Sequence, residues 1–133
     1  NEGAPLSEAQ RIESSLRQAM EPWMNVPYKF GGESKGGVDC SGLTQALYSE
    51  AFNVDLPRTT GQQVNRGRPV DRSQMRAGDL IFFRTGDQQK HVGIYLDDRT
   101  FVHASSSEGV TVSPLRYDYW QTNYWTTKRL SVL

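Results

Sequence analysis

The run Gly78-Asp79-Leu80-Ile81-Phe82-Phe83-Arg84, followed after a polar stretch by His91-Val92-Gly93-Ile94-Tyr95-Leu96, marks where this 133-residue chain changes its period. From here on, short runs rich in β-branched and aromatic residues alternate with Gly, Asp, Ser and Pro clusters, which predicts strands over 79–84, 91–96, 100–105, 110–113 and 124–132. Before it the spacing is helical. Ser7 and Gln10 form a capping box ahead of Ile12, Leu16, Ala19, Met20 and Trp23, and Pro22 ends or kinks that helix. Asp39 is a good N-cap for a second helix over 40–52, with Leu43, Ala46 and Leu47 on its inward stripe. Between the helices, 28–37 is a glycine-rich loop, and 59–64 reads as a short capped turn of helix. Helices first and strands afterwards argue for an α+β fold with an antiparallel sheet rather than alternating βαβ units.

Length and composition narrow the class further. A chain of this size is one domain, 1–133, with 1–22 as its N-terminal helical segment. Cys40 has no partner, so no disulfide supports the fold. Fifteen Lys and Arg balance fifteen Asp and Glu, which removes the net field that a nucleic-acid partner requires. Apolar runs such as Leu80-Ile81-Phe82-Phe83 fall far short of the roughly 18–20 residues of a membrane span. Asn1-Glu2-Gly3-Ala4-Pro5 has neither an initiator Met nor a signal pattern and reads as a trimmed start.

One cysteine and two histidines are the residues able to carry covalent chemistry. Cys40 opens the second helix, where unpaired N–H groups and the helix dipole favour a thiolate. A thiol nucleophile needs an imidazole base held by a third group, and His91 and His103 are the imidazoles present. Two other readings of the same residues are a buried structural Cys with hydrogen-bonded structural His, and a Cys-His-His zinc site. Neither a Cys-x-x-Cys nor a His-Glu-x-x-His spacing supports the metal.

Five blocks, Gly37-Val38-Asp39-Cys40-Ser41-Gly42, Leu56-Pro57-Arg58-Thr59, Gly78-Asp79-Leu80-Ile81-Phe82-Phe83, His91-Val92-Gly93-Ile94-Tyr95 and Phe101-Val102-His103-Ala104, resemble in order and spacing the NlpC family of bacterial cell-wall cysteine peptidases. The resemblance implies a compact papain-like fold, with the Cys-bearing helix packed on the C-terminal antiparallel sheet. It implies Cys40 as nucleophile, His91 as base and then acid, and His103 as the group orienting His91. Tyr28 matches a family tyrosine beside the Cys, either positioning it or binding the oxyanion, while Asp39 and Ser41 are implied to line the substrate cleft. No metal or other cofactor is implied. The implied reaction is hydrolysis of peptidoglycan stem peptides through a thioester, at the D-glutamyl–diaminopimelate bond or at the D-alanyl–diaminopimelate crosslink. A wall-peptide binding module without activity, or the same hydrolase used as an antibacterial toxin, are the alternatives. The place of action is then the periplasm or the outer face of a bacterial cell, with a targeting segment upstream of Asn1. An adaptor or immunity protein is a conceivable further partner.

Two details are left to geometry. His91 and His103 share a sheet face only if their hairpin turns about Asp97, or if a two-residue turn at Asp98-Arg99 is corrected by a β-bulge, for which Gly93 is the best site. Arg58 fits either a substrate carboxylate or an ion pair, and the aromatics Tyr117, Tyr119, Trp120, Tyr124 and Trp125 fit either a sugar-stacking platform or core and anchors.

Overall fold

The computed structural model describes residues 6–86 and 89–132; the reading of Asn1–Pro5 lies outside them. Helix α1 (Glu8–Met20) starts on the Ser7/Gln10 capping box and gives way to a 3-10 turn, Glu21–Trp23, at Pro22. Its buried residues, Ile12, Leu16 and Met20, follow the helical stripe of the sequence. The glycine-rich loop contains a two-stranded ribbon, β1 (Glu33–Ser34) and β2 (Gly37–Val38). Helix α2 (Cys40–Phe52) begins at the Asp39 N-cap, whose carboxylate accepts from the Gly42 N–H at 2.7 Å. The 59–64 segment folds as a single capped turn, α3 (Thr60–Gln63).

Six strands form an antiparallel sheet in the order β3-β8-β4-β5-β6-β7. They are β3 (Arg68–Pro69), β4 (Leu80–Gly86), β5 (Gln89–Tyr95), β6 (Thr100–Ser105), β7 (Gly109–Pro114) and β8 (Tyr124–Arg129). Helix α4 (Asp118–Asn123) joins β7 to β8. β3 and α4 escaped the sequence reading: two residues carry no period, and Asp118–Asn123 has no side-chain cap and no buried stripe.

The alternation of strand residues gives the sheet two unlike faces. Leu80, Phe82, Val92, Ile94, Val102 and Ala104 pack with Leu16, Met20, Leu43, Leu47 and Tyr48 into one core under the helices. Ile81, Phe83 and Phe101 form a second cluster with Leu115 and Trp120 on the opposite face. Both histidines belong to that second face, since His91 pairs directly with Phe83 and His103 lies two residues beyond Phe101. Among the described residues no helix is long and apolar enough to cross a membrane.

The β5–β6 hairpin turns on Asp98 and Arg99, both at positive φ (48° and 59°), with the Thr100 N–H donating to the Asp97 carbonyl. Thr100 also accepts from the Leu96 N–H, so Leu96 and Asp97 both stand opposite Thr100. That local irregularity beside the turn restores the parity, and the ladder then runs Tyr95↔Phe101 and Ile94↔Val102. The expected bulge at Gly93 is not found; Gly93 pairs regularly with Ile81. Glycine is needed there for another reason: a Cβ would lie 2.6 Å from the Phe101 ring and 2.9 Å from the Val102 carbonyl oxygen.

Candidate active site

β5 is bonded to β4 along its length but to β6 only at Ile94 and Tyr95. Beyond that point the two strands no longer exchange hydrogen bonds, and the start of α2 meets the freed edge of β5. The backbone N–H of Val92 is directed at the Cys40 sulfur, with the Ser41 N–H and the Thr60 hydroxyl, 3.5 Å from Sγ, as further partners. Cys40 is half-buried and unpaired. Its sulfur is therefore placed beside the residue that follows His91, at the end of α2 where the dipole is positive.

Burial nevertheless decides its ionisation. Loss of water pushes the Cys40 thiol above its ordinary value; Thr60 and the Val92 N–H work against this, Asp39 adds to it, and the Ser41 N–H again opposes it. The thiolate expected from the helix terminus is thus not the resting form: desolvation outweighs the donors.

The two imidazoles are hydrogen-bonded to each other, His91 Nε2 to His103 Nδ1 at 2.8 Å. They meet diagonally rather than as a direct ladder pair: continuing the Ile94↔Val102 register puts Gly93, two residues past His91, against the Cβ of His103. His103 Nε2 in turn lies 2.8 Å from Ser113 Oγ. Trp120 lies nearly parallel to the His91 ring (centroids 5.6 Å apart, 24°) and edge-on to His103 at 5.0 Å, while Phe101 stacks on His103 at 4.4 Å. Among the readings of the C-terminal aromatics, Trp120 is thus a cover for the imidazoles, and Trp125 and Tyr124 pack on the two cores. Burial drives the His91 pKa down to about 4, and burial together with the charge of His91 drives that of His103 down to about 3. At neutral pH the site holds a thiol and two neutral imidazoles.

Stability should follow from this. An unfolded histidine takes up a proton near pH 6.5, while the folded pair resists until pH 4 to 3. The stabilising difference is fully present above pH 6.5 and is lost as the pH falls through the folded values. Between pH 6 and 4 unfolding free energy should drop with a slope approaching about 2.7 kcal/mol per pH unit for two protons. Urea titrations should show that His91→Gln with His103→Gln removes most of the slope; an unchanged slope would assign acid sensitivity to other groups.

On the other side of Cys40, Asp39 is held from four directions. Arg58 donates to both its oxygens at 3.0 Å, the Gly42 and Gly31 N–H groups donate at 2.7 and 3.1 Å, and Ser41 Oγ donates at 3.4 Å. Burial opposes the charge, but Arg58 and these N–H donors outweigh it and keep the carboxyl below the usual range. Arg58 also donates to Ser41 Oγ at 2.9 Å and pairs with Glu33 at 3.3 Å. The choice left open for Arg58 is thereby resolved toward a half-buried ion pair. Tyr28 bridges to Val38, and burial, then the neighbouring Cys40 and Asp39, raise its phenol pKa. Tyr28, Asp39, Cys40 and Ser41 thus lie together at the start of α2, while His91 and His103 are carried by the sheet.

Sequence reasoning missed Thr60, Ser113 and the covering role of Trp120. Thr60 was legible only as part of a helical turn, and Ser113 becomes visible only once the β6–β7 register is known. A concavity of about 490 Å³ lies elsewhere, lined by Glu8, Arg66, Arg68, Arg76, Asp79 and Arg129 among others. Among the described residues no three His, Cys, Asp or Glu side chains converge as metal ligands.

Comparison with known proteins agrees with this architecture. Residues 25–129 match the NlpC/P60 family. The probable endopeptidase NlpC of Escherichia coli K12 is 40% identical over 129 residues, covering 96% of this chain and 84% of that protein. The murein DD-endopeptidase MepS/murein LD-carboxypeptidase of the same strain is 41% identical over 119 residues, covering 90% of this chain; the chain spans 63% of that relative's length. The structure of the peptidoglycan hydrolase RipB from Mycobacterium tuberculosis superposes with a TM-score of 0.75 at 33% identity, covering 95% of this chain and 68% of that one.

Proposed function

The chain belongs to the NlpC/P60 family, and on that premise we propose that it is a cysteine endopeptidase cutting amide bonds in peptidoglycan stem peptides through a thioester. The observation that carries the reading is the hydrogen-bonded pair of His91 on β5 and His103 on β6, with the backbone N–H next to His91, that of Val92, directed at the Cys40 sulfur. His91 binds His103 through Nε2, which leaves Nδ1 as the base. Because both partners are neutral at rest, the Cys40 proton passes to Nδ1 as sulfur attacks the amide carbon. The Cys40 N–H, with the Tyr28 phenol, stabilises the oxyanion. The C–N bond breaks as His91 returns the proton to the leaving amine, giving the thioester. His91 then takes a proton from water, which attacks the thioester, and the acid product leaves with the Cys40 thiol restored.

Asp39 and Ser41, tied to each other and to Arg58 beside Cys40, line the substrate side of the site. Of the two candidate bonds, the D-alanyl–diaminopimelate crosslink is favoured, because the 41% identical relative is named a DD-endopeptidase. Action on this substrate puts the protein in the cell envelope, on the periplasmic or outer side.

Purified sacculi and a defined crosslinked muropeptide dimer test the proposal. Mass spectrometry is expected to show the dimer converted to two uncrosslinked stems with a new diaminopimelate amine. Release of an L-alanyl-D-glutamate fragment would move the cut to the other bond. Binding to sacculi without any product would overturn the hydrolase and leave a recognition module.

A further inference from the structure

We propose that Ser113 is a positioning residue of this site: its hydroxyl holds His103 Nε2 and, through that ring, fixes the orientation and tautomer of His91. The inference rests on the peptidase reading above. Ser113 sits on β7 opposite Phe101, with Thr111 directly opposite His103, so the contact to His103 is the diagonal one on the same face. The offset repeats that of His91 and His103 one strand earlier, and the three side chains form a row across β5, β6 and β7 with 2.8 Å at each step.

The row leaves no ring nitrogen of His103 unassigned: Nδ1 faces His91 and Nε2 faces Ser113. His103 is 1% exposed, so water is a poor substitute for a lost partner, and a buried nitrogen without one carries a substantial desolvation cost. Phe101 stacked on the ring and Trp120 at its edge define its plane. Stacking alone does not prevent a half-turn of the ring, which would exchange nitrogens for carbons; bonds at both nitrogens do.

The tautomer argument gives the row a direction. A base at His91 Nδ1 requires its proton on Nε2, donated to His103 Nδ1. His103 must then carry its own proton on Nε2, and Ser113 Oγ accepts it. When the hydroxyl is removed, His103 Nε2 is unpartnered in either tautomer, so nothing holds the proton there and the opposite tautomer is no longer disfavoured. In that tautomer His103 Nδ1–H faces His91 Nε2 and drives the His91 proton onto the nitrogen that should be bare.

Ser113→Val and Ser113→Thr share a β-branched shape suited to a strand and differ in the hydroxyl, so their difference isolates it. Val is expected to lower kcat on the order of 10- to 100-fold, the range seen when an outer partner of a metal-bound imidazole is lost, with KM little changed. Thr is expected to restore most of the rate. Nitrogen-15 NMR of the unsubstituted protein should show His103 as the Nε2–H tautomer, and the Val variant should lose that signature. A wild-type His103 in the Nδ1–H form would overturn the proposal, and so would equal kcat for the Thr and Val variants. Retained turnover by Cys40→Ala would instead overturn the peptidase reading beneath it, so the two failures are distinguishable.

Discussion

Cys40→Ala is expected to give a folded protein whose release of peptide fragments from purified peptidoglycan is lower by at least about 10⁴-fold. The argument is one of bond making. Without sulfur there is no thioester, and the remaining groups can only orient a water that the neutral imidazoles must activate unaided. The fold should tolerate the change. Cys40 is half-buried at the first position of α2, the N-cap bond from Asp39 to Gly42 is untouched, and the lost contacts are those of one sulfur with Thr60 and the Val92 and Ser41 N–H groups. Circular dichroism and a melting curve close to wild type would accompany the lost activity. Fragment release at the wild-type rate would discard Cys40 as nucleophile and with it the proposed reaction.

The second large effect separates the two histidines. His91→Ala should abolish turnover to the same degree, because it removes the proton acceptor for sulfur and the donor for the leaving amine together. His103→Ala should leave a residual rate, about 10- to 10³-fold below wild type, since the base is still present but its Nε2 has lost the 2.8 Å bond that fixes it. Both effects should fall on kcat rather than KM. The ordering is the informative part: a His103 variant as inactive as the His91 variant would make the pair a single catalytic unit, and a His103 variant at full rate would make it structural only.

Much of this was legible before any coordinates. Ser7 with Gln10, Asp39 ahead of Cys40 and Thr59 ahead of Thr60 are local capping signals, and each marks an observed helix start. The strands at 100–105 and 79–84 were equally readable, because β-branched and aromatic runs between turn residues are also local. What could not be read is whatever depends on how elements meet. The thiol ionisation differs from the expectation because the helix dipole is visible in sequence whereas the burial that opposes it exists only once the chain has folded around the sulfur. Gly93 was assigned a bulge because its lack of a side chain is evident and its close neighbour, the Phe101 ring, is not. Arg58 and Asp39 lie far apart in the chain, and only the folded loop shows one holding the other.

The row from β5 to β7 has a consequence for when the site becomes complete. Its members, with the thiol on α2, are drawn from elements spread over most of the polypeptide, and Ser113 belongs to one of the last strands to leave a ribosome or an export channel. A chain still in transit carries an ordinary thiol and ordinary histidines. On the proposed reading, hydrolytic competence and completion of the tertiary structure therefore arrive together, since no shorter stretch of the chain brings the thiol and both imidazoles into one place.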